Sequence, residues 1–176
     1  MAKFDLGCGN LKQEGFTGVD LIKEGTQADV QFDLLTFPWA FAKDNEADEI
    51  FCSHFIEHIP HGNGFNDPFF EFFNEVYRIL KPGGIATFTT PYYTSIRAFQ
   101  DPSHQRFISE ATYAYFNADW RKENRLEYYP IKTDFEVIDC QYIYHDDTKG
   151  IDEGDKMFAL KHFWNVGADM RVILKK

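Results

Sequence analysis

The sequence contains few of the residues that mark disulfide-stabilised or zinc-binding proteins. Only three cysteines occur among 176 residues, namely Cys8, Cys52 and Cys140. Their odd number, wide spacing and lack of a C-x-x-C pair exclude a disulfide framework and a thiolate zinc site. No metal ligands are therefore predicted from the sequence, and the low cysteine content indicates a reducing, cytoplasmic compartment.

Excess positive charge and long apolar runs are also lacking. Lys and Arg number 18 against 28 Asp and Glu, which gives a formal net charge of −10. Because nucleic-acid-binding proteins usually carry a basic face, we expect a small-molecule substrate and no nucleic acid. No apolar run approaches the length of a membrane span, and the N-terminus does not resemble a signal peptide. The sequence therefore predicts a cytoplasmic protein with no membrane partner, and it gives no indication of the oligomeric state.

The stretch Lys3 to Asn10 organises the chain, because an apolar strand there runs into a two-glycine turn. Gly7 and Gly9 have no Cβ, so the turn can adopt positive φ and a ligand can approach the backbone closely. Asp20 ends the next predicted strand, where a carboxylate can accept two hydrogen bonds from a ribose diol. Lys12 stands where a dinucleotide-binding fingerprint has its third glycine, which disfavours a nicotinamide oxidoreductase.

The pattern D-L-G-C-G-N at 5–10, followed by G-V-D at 18–20, resembles the first two motifs of class I S-adenosylmethionine-dependent methyltransferases. The run K-P-G-G-I at 81–85 and the run S-H-F-I-E-H at 53–58 strengthen the likeness to the small-molecule branch of that family. The resemblance implies S-adenosylmethionine as cofactor and methyl transfer to a small-molecule or carrier-linked acceptor. It places the cofactor contacts on Asp5, Gly7, Cys8, Gly9, Asn10, Asp20, Leu21, Asp33, Leu34 and Ser53.

The alternation of strand and helix patterns predicts an α/β fold, and the resemblance makes it a Rossmann-like sheet of seven strands with helices on both faces. Strands are expected near 3–6, 16–20, 29–32, 49–53 and 85–90, with a closing antiparallel pair at 134–144 and 169–174. Only nine residues separate Leu6 from Phe16, fewer than a parallel crossover normally needs. The first helix is therefore predicted to be a single turn around Leu11 to Gln13, or missing. Asp67 as N-cap and Pro68 at the first helical position predict a clear helix.

We expect one domain over residues 1–176, with 91–130 as a lid-like insertion. This segment loses strand character and has one helical stretch near Ser109 to Phe116. Because the first strand begins almost at Met1, there is no room upstream for a cover over the acceptor site, and we expect this segment to supply it. It carries Arg97, Arg106, Arg121 and Arg125, which favour a salt-bridged surface over a site for an anionic substrate. The acidic stretch 146–155 does not match a calcium-loop spacing and is predicted to be a solvated hairpin loop.

Three histidines are candidate general bases. His54 and His58 follow the predicted fourth strand, and His104 lies in a turn of the insertion. An unperturbed imidazole pKa of about 6.5 suits proton transfer near neutral pH, although a structural hydrogen-bonding role is the more common one for a single histidine.

Several alternatives stay open. Asp20 and Asp33 could cap turns instead of binding a cofactor. The whole chain could be a non-catalytic binding module on a methyltransferase fold, since the first crossover is so short.

Overall fold

Seven strands form one mixed sheet in the computed structural model, which describes residues 1–148 and 150–176. The strands are β1 Ala2–Leu6, β2 Thr17–Asp20, β3 Val30–Gln31, β4 Ala47–Ser53, β5 Leu80–Pro91, β6 Glu136–Tyr144 and β7 Gly167–Lys175. Their order is β3-β2-β1-β4-β5-β7-β6, in which the first five are parallel and β7 runs antiparallel to β5 and β6. The predicted sheet and its antiparallel last pair are confirmed.

Five α-helices connect or cover these strands within the described chain. They are α1 Pro68–Ile79, α2 Arg97–Gln100, α3 Glu110–Ala114, α4 Ala118–Glu123 and α5 Glu153–His162, with short 3-10 turns at Ile56–His58 and Asp146–Thr148. None of the helices in the described ranges has both the length and the apolar character needed to cross a bilayer.

The connection between β1 and β2 has no helix, which is one of the two outcomes that its shortness predicted. Residues 7–16 form turns instead, and the two strands still pair in parallel. The amide of Gly7 donates to the carbonyl of Val19 at 2.8 Å, and the amide of Gln13 donates to Asp5 Oδ2 at 2.6 Å. These hydrogen bonds fold the short connection back onto the strand ends, so a helix is not needed to close the crossover.

Helix α1 begins and packs as its sequence predicts. The Asp67 side chain accepts a hydrogen bond from the amide of Phe69 at 2.8 Å, which satisfies one of the free amides of the first turn. The helix buries Phe69, Phe72 and Phe73, and the Phe73 ring stacks on Phe116 with centroids 3.9 Å apart. The aromatic stripe is therefore part of the core.

Strand β5 starts earlier than expected, because Leu80 already pairs with Ala47 of β4.

Helix α5 is absent from the sequence-based prediction, and the hairpin loop expected over 146–155 is wrong in its second half. Asp152 caps the helix by accepting from the amide of Gly154 at 2.8 Å. Glu153 and Asp155 occupy the first turn and Lys161 and His162 the last, an arrangement that favours the helix dipole. The prediction places all five acids of this stretch in a solvated loop, whereas Asp152, Glu153 and Asp155 stand at the start of a helix. Residue 149 of that loop lies outside the described residues.

Candidate functional site

The carboxyl ends of β1, β2 and β4 meet at two adjoining cavities, where ligands bind in open α/β sheets. A cavity of about 310 Å³ is lined by Gly7, Asp20, Leu21, Asp33 and Leu34 among others, and one of about 360 Å³ by Asp5, Gly7, Cys8, Gly9, Asn10 and Ser53. All ten residues predicted to contact the cofactor thus line one cavity or both. Gly7 and His54 belong to both cavities, so the two are direct neighbours, and together they are called the cleft.

The glycine turn leaves room for the ring of Phe55 at Gly7 and for a ligand at Gly9. Gly7 has φ +69°, and a Cβ built there would lie 2.6 Å from Cδ2 of Phe55. Gly9 has φ +50°, and a Cβ there would meet nothing within 4 Å. Gly7 is therefore required by both conformation and packing, while the space above Gly9 stays open to the cleft.

Asp20 both caps the turn and faces the cavity. Its Oδ2 accepts from the amide of Gly9 at 2.9 Å, and its Oδ1 accepts from the amide of Ile22 at 3.2 Å. A carboxylate offers about four acceptor positions, so about two remain for a ligand. The capping interpretation and the ligand-binding interpretation are compatible at this residue.

Asp5 and Asp33 also hold backbone amides. Asp33 Oδ1 accepts from the amide of Leu35 at 2.9 Å, which is the turn cap considered for it. Asp5 is only 2% exposed, and its bond to Gln13 fixes the far side of the glycine turn. Burial raises the pKa of Asp5, and the hydrogen bond from Gln13 opposes that rise.

Cys8 is buried inside the turn. Burial, together with the negative charges of Asp5 and Asp20, raises the pKa of the Cys8 thiol to about 11. Since the thiolate is the nucleophilic form, this side chain is inert at neutral pH.

His54 lines both cavities and has an unusual backbone conformation. Its φ of +53° is rare for a residue with a Cβ. The His54 Nδ1 lies 3.2 Å from Glu57 Oε1, and that hydrogen bond raises the pKa of His54 against the opposing effect of burial. Glu57 is 1% exposed and was not predicted as a site residue; its position directly before His58 was the available signal.

His58 and His104 are brought together although 46 positions separate them. Their ring centroids lie 4.7 Å apart, and His58 also lines the first cavity. The amides of Gln105 and Arg106 donate to the carbonyl of Glu57 at 2.8 and 3.0 Å, which ties the insertion to the turn after β4. The three predicted histidines therefore gather at the first cavity, which His54 and His58 line and which His104 reaches through His58, and this region is called the histidine side of the cleft.

Three arginines of the insertion have intramolecular partners. Arg97 lies 3.1 Å from Asp169, and Arg106 lies 2.6 Å from Asp67. The buried Arg121 donates to the carbonyls of Tyr115 and Thr133, both at 2.8 Å. These contacts support the structural interpretation of the arginines over an anion-binding one.

Comparison with known proteins supports the expected family. Residues 4–88, which include the glycine turn, Asp20 and the histidine run after β4, match the family model described as the methyltransferase domain. This match, just under half of the chain, supports a class I S-adenosylmethionine-dependent methyltransferase. A search of curated protein sequences finds no significant match.

Solved structures show the same methyltransferase fold. The chain is similar to a SAM-dependent methyltransferase from Archaeoglobus fulgidus, with 22% identity, a TM-score of 0.67, and coverage of 99% of this chain and 86% of that one. It is also similar to a possible histamine N-methyltransferase from Thermotoga maritima, with 16% identity, a TM-score of 0.58, and coverage of 99% and 82%. A putative methyltransferase from Haloferax volcanii, solved with the Trm112 activator, has 15% identity, a TM-score of 0.56, and coverage of 99% and 81%.

S-adenosylmethionine is the cofactor of this methyltransferase, and the cleft fits it. The open space above Gly9 admits a ligand against the backbone, and Asp20 keeps acceptor positions at the cavity. The expected cofactor class is confirmed, and the non-catalytic module is set aside in favour of an enzyme.

Proposed function

We propose that the enzyme methylates a small-molecule or carrier-linked acceptor, held on the histidine side of the cleft. The observation that carries this proposal is the gathering of His54, His58 and His104 beside a cavity that also includes Gly7 and Asp20. The net charge of −10 supports an acceptor other than nucleic acid.

In this proposal the ten cleft residues divide between the two halves of the cofactor. Asp20 binds the ribose, and Asp33, Leu21 and Leu34 surround the adenine in the first cavity. The turn from Asp5 to Asn10, with Ser53, surrounds the amino-acid part in the second. The cofactor supplies a methyl group that is already activated, so the protein mainly positions the acceptor and excludes water.

The insertion 91–130 completes the acceptor side, in our proposal as a cover. Its turn at 101–106 reaches the 3-10 turn Ile56–His58 through the hydrogen bonds of Gln105 and Arg106. Exposed rings of Phe99 and Phe107 stack with centroids 4.5 Å apart and provide an apolar surface for an acceptor or its carrier. An acceptor would then lie between the cleft and this segment.

Asp20→Ala tests the cofactor part of the proposal. Hydrogen bonds to charged groups contribute about 1.5 to 3 kcal/mol each, so losing the ribose contact should weaken S-adenosylhomocysteine at least about tenfold in calorimetric titration. Asp139→Ala is the matched control, because Asp139 lies on β6 at the opposite edge of the sheet. Equal affinities in the two folded variants would remove Asp20 from the cofactor site.

The acceptor class is tested by transfer of a labelled methyl group. Enzyme and radiolabelled S-adenosylmethionine are incubated with the low-molecular-mass and macromolecular fractions of a cell extract, the latter treated with nuclease or protease. We expect label in the small-molecule fraction, or in a macromolecular fraction that resists nuclease. Label that nuclease abolishes would contradict the proposed acceptor.

A further inference from the structure

The histidine side of the cleft carries a second feature that general-base chemistry does not require. Glu57, His58 and His104 each offer one potential ligand atom, and the three atoms lie within 4.8 Å of one another. Glu57 and His58 come from the turn after β4, whereas His104 comes from the insertion. Two imidazoles and one carboxylate form a ligand set used for zinc and other transition metals in enzymes.

The hydrogen bonds of the imidazoles determine which nitrogen is free. His104 Nδ1 lies 3.0 Å from the carbonyl oxygen of Ala98, which can only accept, so Nδ1 carries the proton. His58 Nδ1 lies 3.0 Å from Ser103 Oγ. The Ser103 hydroxyl gives its only proton to Asp101 Oδ1 at 2.6 Å, so it accepts from His58. In its neutral form each ring therefore presents an unprotonated Nε2, which is the arrangement that second-shell hydrogen bonds impose on metal-binding histidines.

The carboxylate of Glu57 adds an independent observation. Glu57 is 1% exposed; its Oε1 lies beside His54 Nδ1, and its Oε2 has no hydrogen-bond partner among the described residues. A buried carboxylate oxygen without a partner is costly, and a bound cation would remove that cost. The amides of Gln105 and Arg106 hold the main chain of Glu57 against the His104 segment, so the three ligands are fixed relative to one another.

We propose that Glu57 Oε2, His58 Nε2 and His104 Nε2 bind one divalent transition-metal ion at the edge of the cofactor cavity. The donor set suits Zn²⁺ and its first-row neighbours better than Mg²⁺ or Ca²⁺, which prefer oxygen ligands. Three protein ligands leave at least one coordination position open, as in catalytic zinc sites. This proposal replaces the sequence-based prediction of no metal.

The open position suggests the chemistry of the acceptor, and this step rests on the proposed function. A hydroxyl group bound to a divalent cation loses its proton to water at a lower pH, and its oxygen keeps the electron pair. The site thus favours acceptors with a hydroxyl or another oxygen donor, and it makes His58 and His104 ligands instead of proton acceptors.

Direct metal titration tests the site without any methyl transfer. Chelator-treated full-length protein is titrated with Co²⁺, followed by visible absorption, and with Zn²⁺, followed by calorimetry. We expect one equivalent per chain, and at least a tenfold weaker affinity in His58→Ala and His104→Ala. Ser103→Ala should weaken binding less, because it only releases the His58 ring. His162→Ala, an exposed histidine on α5, is the matched control and should bind like the wild type.

The result is separable from the proposed function. No stoichiometric binding by the wild type, or equal affinities in His58→Ala, His104→Ala and His162→Ala, would overturn the metal site. Glu57→Gln is a further variant. If this substitution of a buried residue prevents folding, the variants of the half-buried His58 and His104 still decide the test. Failure of the wild type to bind S-adenosylhomocysteine would instead refute the proposed function, while the metal titration would still report on the site.

Discussion

The glycine turn shows how one missing Cβ determines both backbone and packing. At Gly7 a side chain would face a left-handed conformation and the ring of Phe55 at 2.6 Å. Gly15 has φ +80°, yet a Cβ there meets nothing within 4 Å. The two positions share the conformational demand and differ in the space available and in contact with the cleft, so Gly15 serves as the control for Gly7.

Gly7→Ala should therefore be costlier than Gly15→Ala. We expect the left-handed conformation to cost about 1 to 3 kcal/mol at either site, and the clash at Gly7 to add about 1 to 3 kcal/mol. Urea unfolding measures both, and calorimetry should show loss of S-adenosylhomocysteine binding only for Gly7→Ala. Equal destabilisation by the two variants would show that Phe55 yields without cost.

The thiol of Cys8 provides a pH-dependent prediction. With its pKa raised to about 11, its rate of alkylation by iodoacetamide should rise about tenfold for each pH step from 8 to 10 without levelling off. An unstructured cysteine peptide, with a pKa of about 8.5, should level off within that range. Peptide mass spectrometry separates Cys8 from the other two cysteines. A plateau for Cys8 near pH 9 would contradict the effect of burial and of the carboxylates.

At the scale of elements, Asp67 joins helix α1 to the insertion. Its Oδ1 accepts from the amide of Phe69 at 2.8 Å and from Arg106 at 2.6 Å, so one oxygen serves as N-cap and as ion-pair partner. The side chains of Asp67 and Arg106 are only 13% and 12% exposed, which makes this pair less screened than a surface pair.

Two substitutions at Asp67 separate the cap from the charge. Asn caps a helix about as well as Asp, so Asp67→Asn should lose only the charge interaction with Arg106. Asp67→Ala also loses the cap, which adds about 0.5 to 2 kcal/mol of destabilisation in urea unfolding. Asp139→Ala on the edge strand serves as control. If Asp67→Asn and Asp67→Ala had the same free energy of unfolding, the cap would contribute nothing.

At the scale of the whole molecule, the insertion 91–130 combines an anchored part with an exposed one. Tyr113 and Phe116 are 1% exposed and belong to the core, and Arg121 fixes the following turn. Phe99 and Phe107 are 47% and 52% exposed. Because the amides of Gln105 and Arg106 anchor the His104 turn, the movement predicted for a cover is expected over residues 93–100.

Amide hydrogen exchange tests this division. Residues 93–100 should exchange faster than the sheet and slow when S-adenosylhomocysteine and an acceptor are bound, because the large apolar side chains of Tyr93, Ile96 and Phe99 are exposed instead of packed in the core. Residues 113–116 should be protected with or without ligands and serve as the internal control. Uniform protection of 93–100 that ligands do not change would exclude a cover.

Much of the fold was predictable because its signals are local. The glycine turn, the cap at Asp67 and the aromatic stripe of α1 each lie within a few residues of one another, and all three are where the sequence predicted them. The short first connection also limits the first helix to a single turn or none, since residues 7–16 are too few for the usual crossover, and the structure has none. Helix α5 is not predicted although its end charges are visible, because its hydrophobic pattern is weak and acids among glycines also suit a loop.

The sequence by itself determined the family, the cofactor and the residues that line the cleft, because these depend on short motifs at strand ends. Only the tertiary structure decided which histidines meet and how their rings are oriented. The approach of His104 to His58, the burial of Glu57 and the orientation of both imidazoles by Ala98 and Ser103 are contacts between distant segments. Such contacts arise from how the insertion packs on the turn after β4, and neither local propensity nor residue spacing contains that information.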